Sequence, residues 1–166
     1  MKTFQDLKSI PEGLKRALAE LNFSTPTPIQ AEAIPLALEG GDLIGCAQTG
    51  SGKTVAFSVP MITKLIEERE SIALILVPTR ELAAQVVSVV EKLIKFNTGI
   101  GVVTLIGGVP MNPQIRALAR RPRIVVATPG RLIDHLQSKN LSLGRTAVLV
   151  LDEADRMLDM GFAPQL

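Results

Sequence analysis

The sequence predicts an α/β domain built on a mostly parallel sheet, and three observations carry that expectation. Short apolar runs alternate with amphipathic stretches of helical length along most of the chain. A glycine-rich loop, Ala47-Gln-Thr-Gly-Ser-Gly-Lys-Thr54, sits between one such run and one such stretch. The apolar run Val148 to Leu151 ends in the acidic cluster Asp152, Glu153 and Asp155, and in an open parallel sheet ligands bind beyond the carboxyl ends of the strands.

From the start of the chain, Leu14, Ala17, Leu18 and Leu21 recur at helical spacing and predict an amphipathic helix from near Pro11 to Leu21. A second helix starts at Thr27-Pro28, with Thr27 as cap and Pro28 at the first helical position. It bends at Pro35 and stops at Gly40-Gly41. Strands are expected at Asp42 to Ala47, Ile72 to Val77, Gly101 to Ile106, Ile124 to Ala127 and Ala147 to Leu151. Helices are expected at Lys53 to Arg69, Arg80 to Phe96, Met111 to Arg121 and Pro129 to Gln137, so the connections are right-handed crossovers. The wholly apolar strand ending at Leu151 reads as buried on both faces, and the chain reaches Leu166 in the helix after it. No repeat, low-complexity segment or linker interrupts this order.

With 166 residues and 46% apolar content, the chain can build one substantial core and is short for two domains. Its formal charge of +2 comes from 18 basic and 16 acidic residues, so any nucleic-acid contact must come from local patches. The single cysteine, Cys46, excludes an internal disulfide and reads as a buried strand residue. His135 reads as a helix-surface residue. No apolar segment reaches the roughly 18 residues of a membrane span, and Met1 to Leu21 lacks the apolar stretch of a signal peptide. The cytoplasm is the expected compartment.

The glycine-rich loop has the make-up of a phosphate cradle. Gly50 and Gly52 let the backbone curl so that successive N–H groups point inward, and the following helix adds the positive end of its dipole. Lys53 is expected on the β- and γ-phosphates and Thr54 on Mg²⁺, with Ala47, Gln48, Thr49 and Ser51 completing the loop. Ala47 stands where the strict pattern has glycine, and a small residue satisfies the turn. With such a loop present, Asp152 suits an acid that orders the Mg²⁺ shell through water, and Glu153 a general base or water-orienting group. The competing reading is that these carboxylates simply favour the start of the next helix.

AQTGSGKT, PTRELA, TPGR and DEAD occur in the order and spacing of the DEAD-box ATP-dependent RNA helicases, and the resemblance spans the whole chain. It implies a RecA-like P-loop fold, with residues 1–40 as a Q-motif region and 41–166 as part of the first helicase domain. ATP and Mg²⁺ are the implied cofactors, and RNA and a second RecA-like domain the implied partners. Phe4, Phe23 and Gln30, in FQDL and NFSTPTPIQ, resemble the family's adenine-sensing Q motif. Gln30 is then assigned to the adenine edge and Phe4 to stacking on the base. Thr27-x-x-Gln30 is also a capping box, and the two roles can share one side chain. Asn22 departs from the family pattern, which has glycine before the phenylalanine.

Three strand ends offer helix starts and arginines to a nucleic-acid backbone: Pro78-Thr79-Arg80, Gly107-Gly108 and Thr128-Pro129-Gly130-Arg131. Read alone they are ordinary capped helix starts; the resemblance makes them sequence-independent RNA contacts. It also gives Asp155 a role in coupling motifs between domains. With no tyrosine or tryptophan and only five phenylalanines, a base-stacking platform is not expected.

The family's Ser-Ala-Thr motif and second domain, with its arginine finger, do not appear in these residues. In the family the Ser-Ala-Thr strand lies between the loop-bearing and acid-bearing strands. The chain is therefore expected to be a piece of a longer protein, with unpaired strand edges and with little or no activity alone. The alternatives are a catalytically silent module that binds nucleotide or RNA, and a DNA-directed helicase of the same superfamily.

Overall fold

Helix α1 (Glu12–Glu20) forms where the apolar periodicity places it and buries Leu14, Ala17 and Leu18. Its end explains Asn22. That residue takes a left-handed φ of 58°, while Asn22 N–H donates to Ala19 O at 3.0 Å and Phe23 N–H to Leu18 O at 2.9 Å. This is the pair of bonds that closes a helix with a left-handed residue after its cap. Asparagine tolerates that conformation better than other residues with a Cβ, so it stands in for glycine here.

The structure, a computed structural model, describes residues 3–97 and 99–165. They fall into two compact units, Met1–Arg69 with Val89–Gly99, and Glu70–Ser88 with Ile100–Leu166. The first unit is helical. Besides α1 it holds α2 (Pro28–Leu38), which opens with proline and buries Gln30 and Ile34. It also holds α3 (Lys53–Glu67), whose Val55, Val59, Ile62 and Leu65 are buried, and the final turns of α4 (Arg80–Ile94). Fully burying each such aliphatic side chain contributes about 1.5–3 kcal/mol. The helix packing leaves room for little more than glycine at Gly13, where an added Cβ would lie 3.0 Å from Phe96 O.

The second unit carries the sheet, with strands β1 (Ile72–Leu76), β2 (Val102–Leu105), β3 (Ile124–Ala127) and β4 (Thr146–Leu151). Their order is β2-β3-β1-β4 and every pairing is parallel. Helices α5 (Met111–Leu118), α6 (Pro129–Gln137) and α7 (Ala154–Asp159) complete it. The register aligns Leu76 with both Ala127 and Leu151, and Ala127 with Leu105, so all four strands stop at one line. Leu74, Leu76, Val103, Leu105, Val125 and Ala127 form one apolar sheet face, closed by Leu132 of α6 and Met157 of α7. β1 and β3 are buried throughout, as central parallel strands require.

Four sequence expectations are corrected. Asp42 to Ala47 forms no strand: these residues have no regular structure, Ile44 is 97% exposed, and no strand of the sheet pairs with them. A strand needs a partner for its N–H and C=O groups, and apolar content alone does not supply one. β4 is not buried on both faces. It lies at the edge of the sheet, and Leu149 and Leu151 on its alternating face are 58% and 43% exposed. Cys46, lacking that strand around it, is exposed. His135 is not on the surface: it is fully buried, because it shares the inward face of α6 with Leu132 three residues earlier.

Candidate functional site

In the first unit, the loop leading into α3 is shaped by two left-handed glycines, Gly50 and Gly52. Gly52 meets a double requirement, since its φ is 92° and a Cβ there would collide with the Gln30 carboxamide. Ser51 N–H donates to Gln48 O at 3.2 Å, which tightens the turn. Lys53, the first residue of α3, donates its ammonium to the Ala47 carbonyl, so lysine and loop are held together. Thr54 follows in the first turn of the helix.

Gln30 ties the second helix to this loop. Its Nε2 donates to Gly52 O at 3.1 Å, and its Oε1 accepts the Thr27 N–H at 3.0 Å. The glutamine half of the capping box is therefore formed, whereas the Thr27 hydroxyl is buried with no hydrogen-bond partner. Gln30 is only 2% exposed, yet a carboxamide has four hydrogen-bonding sites, so one N–H and one lone pair stay uncommitted by these bonds. A cavity of about 360 Å³ opens beside it, lined by Thr27, Pro28, Ile29 and Glu32 of the α2 region and by Cys46, Ala47 and Ser51 of the loop. Of the two aromatic residues, Phe4 is enclosed at 1% exposure in the turn Phe4–Asp6 and Phe23 is half-buried. The Phe4 ring is thus covered by protein in this conformation.

In the second unit, the common strand line gathers the remaining candidates on one sheet edge. The ladder runs one step past the strands: Val77 N–H donates to Ala127 O, Thr128 N–H to Leu105 O and Asp152 N–H to Leu76 O, each at 3.0 Å. Asp152 is 8% exposed and Glu153 adopts a left-handed φ of 52° as the cap of α7. A non-glycine residue in that region is strained, and such strain collects at functional positions. Glu153 pairs with Arg156 at 3.1 Å, and Asp155 is exposed in the first turn of α7.

Beside the acids lie the three backbone-binding candidates. Pro78 is buried, Thr79 caps α4 by accepting Leu82 N–H at 3.2 Å, and Arg80 is exposed. Thr128 occupies the cap position of α6 without a side-chain cap bond, Pro129 is buried and Gly130 exposed. Arg131 is turned inward, with a side chain 13% exposed. Its Nη1 donates to Val109 O at 3.0 Å and its guanidinium pairs with Asp134 at 3.3 Å. Gly107 and Gly108 sit on the loop after β2, and a Cβ on Gly108, whose φ is 76°, would strike the Arg80 guanidinium. Polar residues that the sequence did not single out, Gln114 and Asn140, join the buried His135 beneath this loop. For Gln114 the available signal was helical phase, since it lies one turn before Leu118; Asn140, beyond the end of α6, carried none.

Among the described residues no three His, Cys, Asp or Glu side chains cluster in a way that could hold a metal ion. No helix of the described residues is long and apolar enough to cross a membrane.

A family model described as DEAD/DEAH box helicase matches residues 27–166. The chain is similar to the ATP-dependent rRNA helicase RRP3 of Debaryomyces hansenii, at 51% identity over 99% of this chain and 35% of that protein. It is similar also to DEAD-box ATP-dependent RNA helicase 30 of Arabidopsis thaliana, at 49% identity over 100% of this chain and 29% of that one. Among solved structures, the RNA helicase Prp28 from Chaetomium thermophilum bound to ADP superposes with a TM-score of 0.89 at 41% identity, covering 100% of this chain and 42% of that one. The yeast DEAD-box splicing factor Prp28 gives 0.91 at 38% identity, covering 99% and 41%. The chain spans about a third of the length of the curated relatives it matches.

Proposed function

The chain belongs to the DEAD/DEAH box helicase family, and from that premise we propose that it is the ATP-binding part of an ATP-dependent RNA helicase that remodels RNA duplexes. The observation that carries this reading is the junction of Gln30 with the glycine-rich loop through Gly52 O.

In this reading the loop amides from Gln48 to Thr54 and the N-terminus of α3 hold the phosphates. Lys53 exchanges its bond to Ala47 O for the β- and γ-phosphate oxygens. The spare donor and acceptor of Gln30 address the adenine edge, which presents the complementary pair. Phe4 stacks on the base once the cover over its ring opens. Thr54 and, through water, Asp152 are the residues that would hold Mg²⁺, which would supply charge neutralisation at the transferred phosphoryl group. Glu153 orients the attacking water and accepts its proton.

The edge formed by Pro78 to Arg80, Gly107-Gly108 and Thr128 to Arg131 binds the RNA backbone through amides and cations, and so without reading sequence. Asp155, exposed beside Asp152 and Glu153, couples this centre to the second RecA-like domain of the longer protein. The unpaired edge of β4 and the unpaired residues 42–47 each receive a strand from that longer chain. Alone, the 166 residues bind ATP weakly and do not turn it over, because an arginine finger from the second domain is worth about 10³ to 10⁵ in rate.

Gln30→Ala tests the adenine assignment. It removes two hydrogen bonds and leaves the part-buried Thr27 amide without its side-chain partner, so the domain loses about 1–3 kcal/mol of stability in a denaturant melt. In the longer protein the preference for ATP over GTP collapses as well. Unchanged selectivity between the two nucleotides in the folded variant would remove Gln30 from base recognition.

A further inference from the structure

Beneath the Gly107-Gly108 loop lies a chain of buried polar groups to which neither phosphate binding nor the acidic cluster gives a role. Gln114 of α5 is 6% exposed and His135 of α6 fully buried. Gln114 Nε2 lies 3.0 Å from Ile106 O and 3.4 Å from Pro110 O, so one carboxamide spans the two ends of the loop. Its Oε1 is 3.2 Å from His135 Nε2, and His135 Nδ1 is 3.4 Å from Asn140 Nδ2.

The donors and acceptors admit one consistent direction. Ile106 O and Pro110 O can only accept, so Gln114 turns its NH₂ toward them and its oxygen toward the imidazole. His135 must then donate from Nε2, which leaves Nδ1 of the neutral ring to accept from Asn140. Burial pushes the His135 pKa below its ordinary value, Arg131 pushes it the same way, and Asp134 opposes them. Both charged groups stand on α6 itself, while α5 and the turn after α6 face the ring with the amides of Gln114 and Asn140. The neutral ring is therefore the folded form at physiological pH. The same loop is gripped from two other sides, by Arg131 on Val109 O and by Arg80 against Gly108.

We propose that Asn140, His135 and Gln114 form a directional hydrogen-bond chain that positions the Gly107–Val109 loop against the start of α6, so that both present their amides to one nucleic-acid backbone. The three are positioning residues acting through the loop, and the inference rests on the RNA-backbone reading above. The physical reason is rigidity. A glycine-rich loop has high conformational entropy when free, and fixing it before binding removes that cost from association. Buried amide and imidazole groups serve this better than apolar ones, because a reversed carboxamide would set its oxygen against two carbonyls.

The test uses the longer protein that carries this chain, a fluorescein-labelled ten-nucleotide oligouridylate, and Mg²⁺ with a non-hydrolysable ATP analogue. Gln114→Glu keeps the shape and the oxygen facing His135 but cannot donate to Ile106 O and Pro110 O. Its RNA Kd rises about tenfold, the size expected for losing such a bond, while affinity for the ATP analogue stays within about twofold. Asn140→Asp, at a half-buried site, favours the opposite tautomer and weakens RNA binding in the same direction. It carries the test if Gln114→Glu fails to fold. Unchanged RNA affinity in a folded variant, or equal losses of RNA and nucleotide affinity, overturns the proposal. Wild-type protein that binds no oligouridylate overturns the RNA reading itself and this inference with it.

Discussion

Lys53→Ala in the longer protein lowers ATP turnover by at least about 10²-fold, the cost of deleting one preorganised donor from a phosphoryl-transfer site. The expectation follows from where the ammonium is anchored. Lys53 opens α3 and reaches back to the first carbonyl of the loop, so its positive charge stands beside the amides proposed to receive the phosphates. Alanine keeps the helix, being its best former, and leaves the glycine geometry of the loop untouched. The deficit should therefore appear in nucleotide affinity and turnover, with the melting transition nearly unchanged. A variant that hydrolysed ATP at a near-normal rate would overturn the assignment of the loop.

Glu153→Gln separates binding from chemistry. It is expected to cut turnover by about 10²–10⁴-fold, the range for a lost general base, while ATP remains bound. Stability should barely move. The amide has the same shape in the same left-handed backbone, and the surface pair with Arg156, whose side chain is 56% exposed, is worth about 0–1 kcal/mol at most. Single-turnover hydrolysis measured beside equilibrium ATP binding checks this, and loss of binding in parallel with turnover would count against the role of Glu153.

Most of the second unit was legible in the sequence because its rules are local. Thr128-Pro129 fixed the start of α6, and the structure ends that helix at Gln137 as expected. Apolar runs and intervening amphipathic stretches located β1 to β4, and the single parallel sheet then carried the strand-end motifs to one edge. What escaped depended on partners that a local pattern does not contain. Asp42 to Ala47 has a strand's composition but no neighbour to bond with, and Val148 to Leu151 has a central strand's composition at an edge position. His135 escaped for a related reason. A histidine is at home on a surface or in a core, and its partners decide which: Gln114, 21 residues earlier on another helix, and Asn140 in the turn after its own. Gln30 was legible as a cap residue, its Oε1 accepting the Thr27 N–H, and the structure adds a bond that the sequence did not suggest, the one to Gly52 O.

The central proposal is that the glycine-rich loop binds adenine nucleotide, that the strand-end edge binds RNA, and that the longer protein couples the two. Steady-state ATP turnover by the longer protein, with single-stranded RNA and with single-stranded DNA of the same length, tests it most directly. Turnover should rise severalfold with RNA and remain at its basal level with DNA, because backbone recognition that prefers RNA draws on the 2′-hydroxyl. Turnover raised equally by DNA, or indifferent to both, would contradict the account.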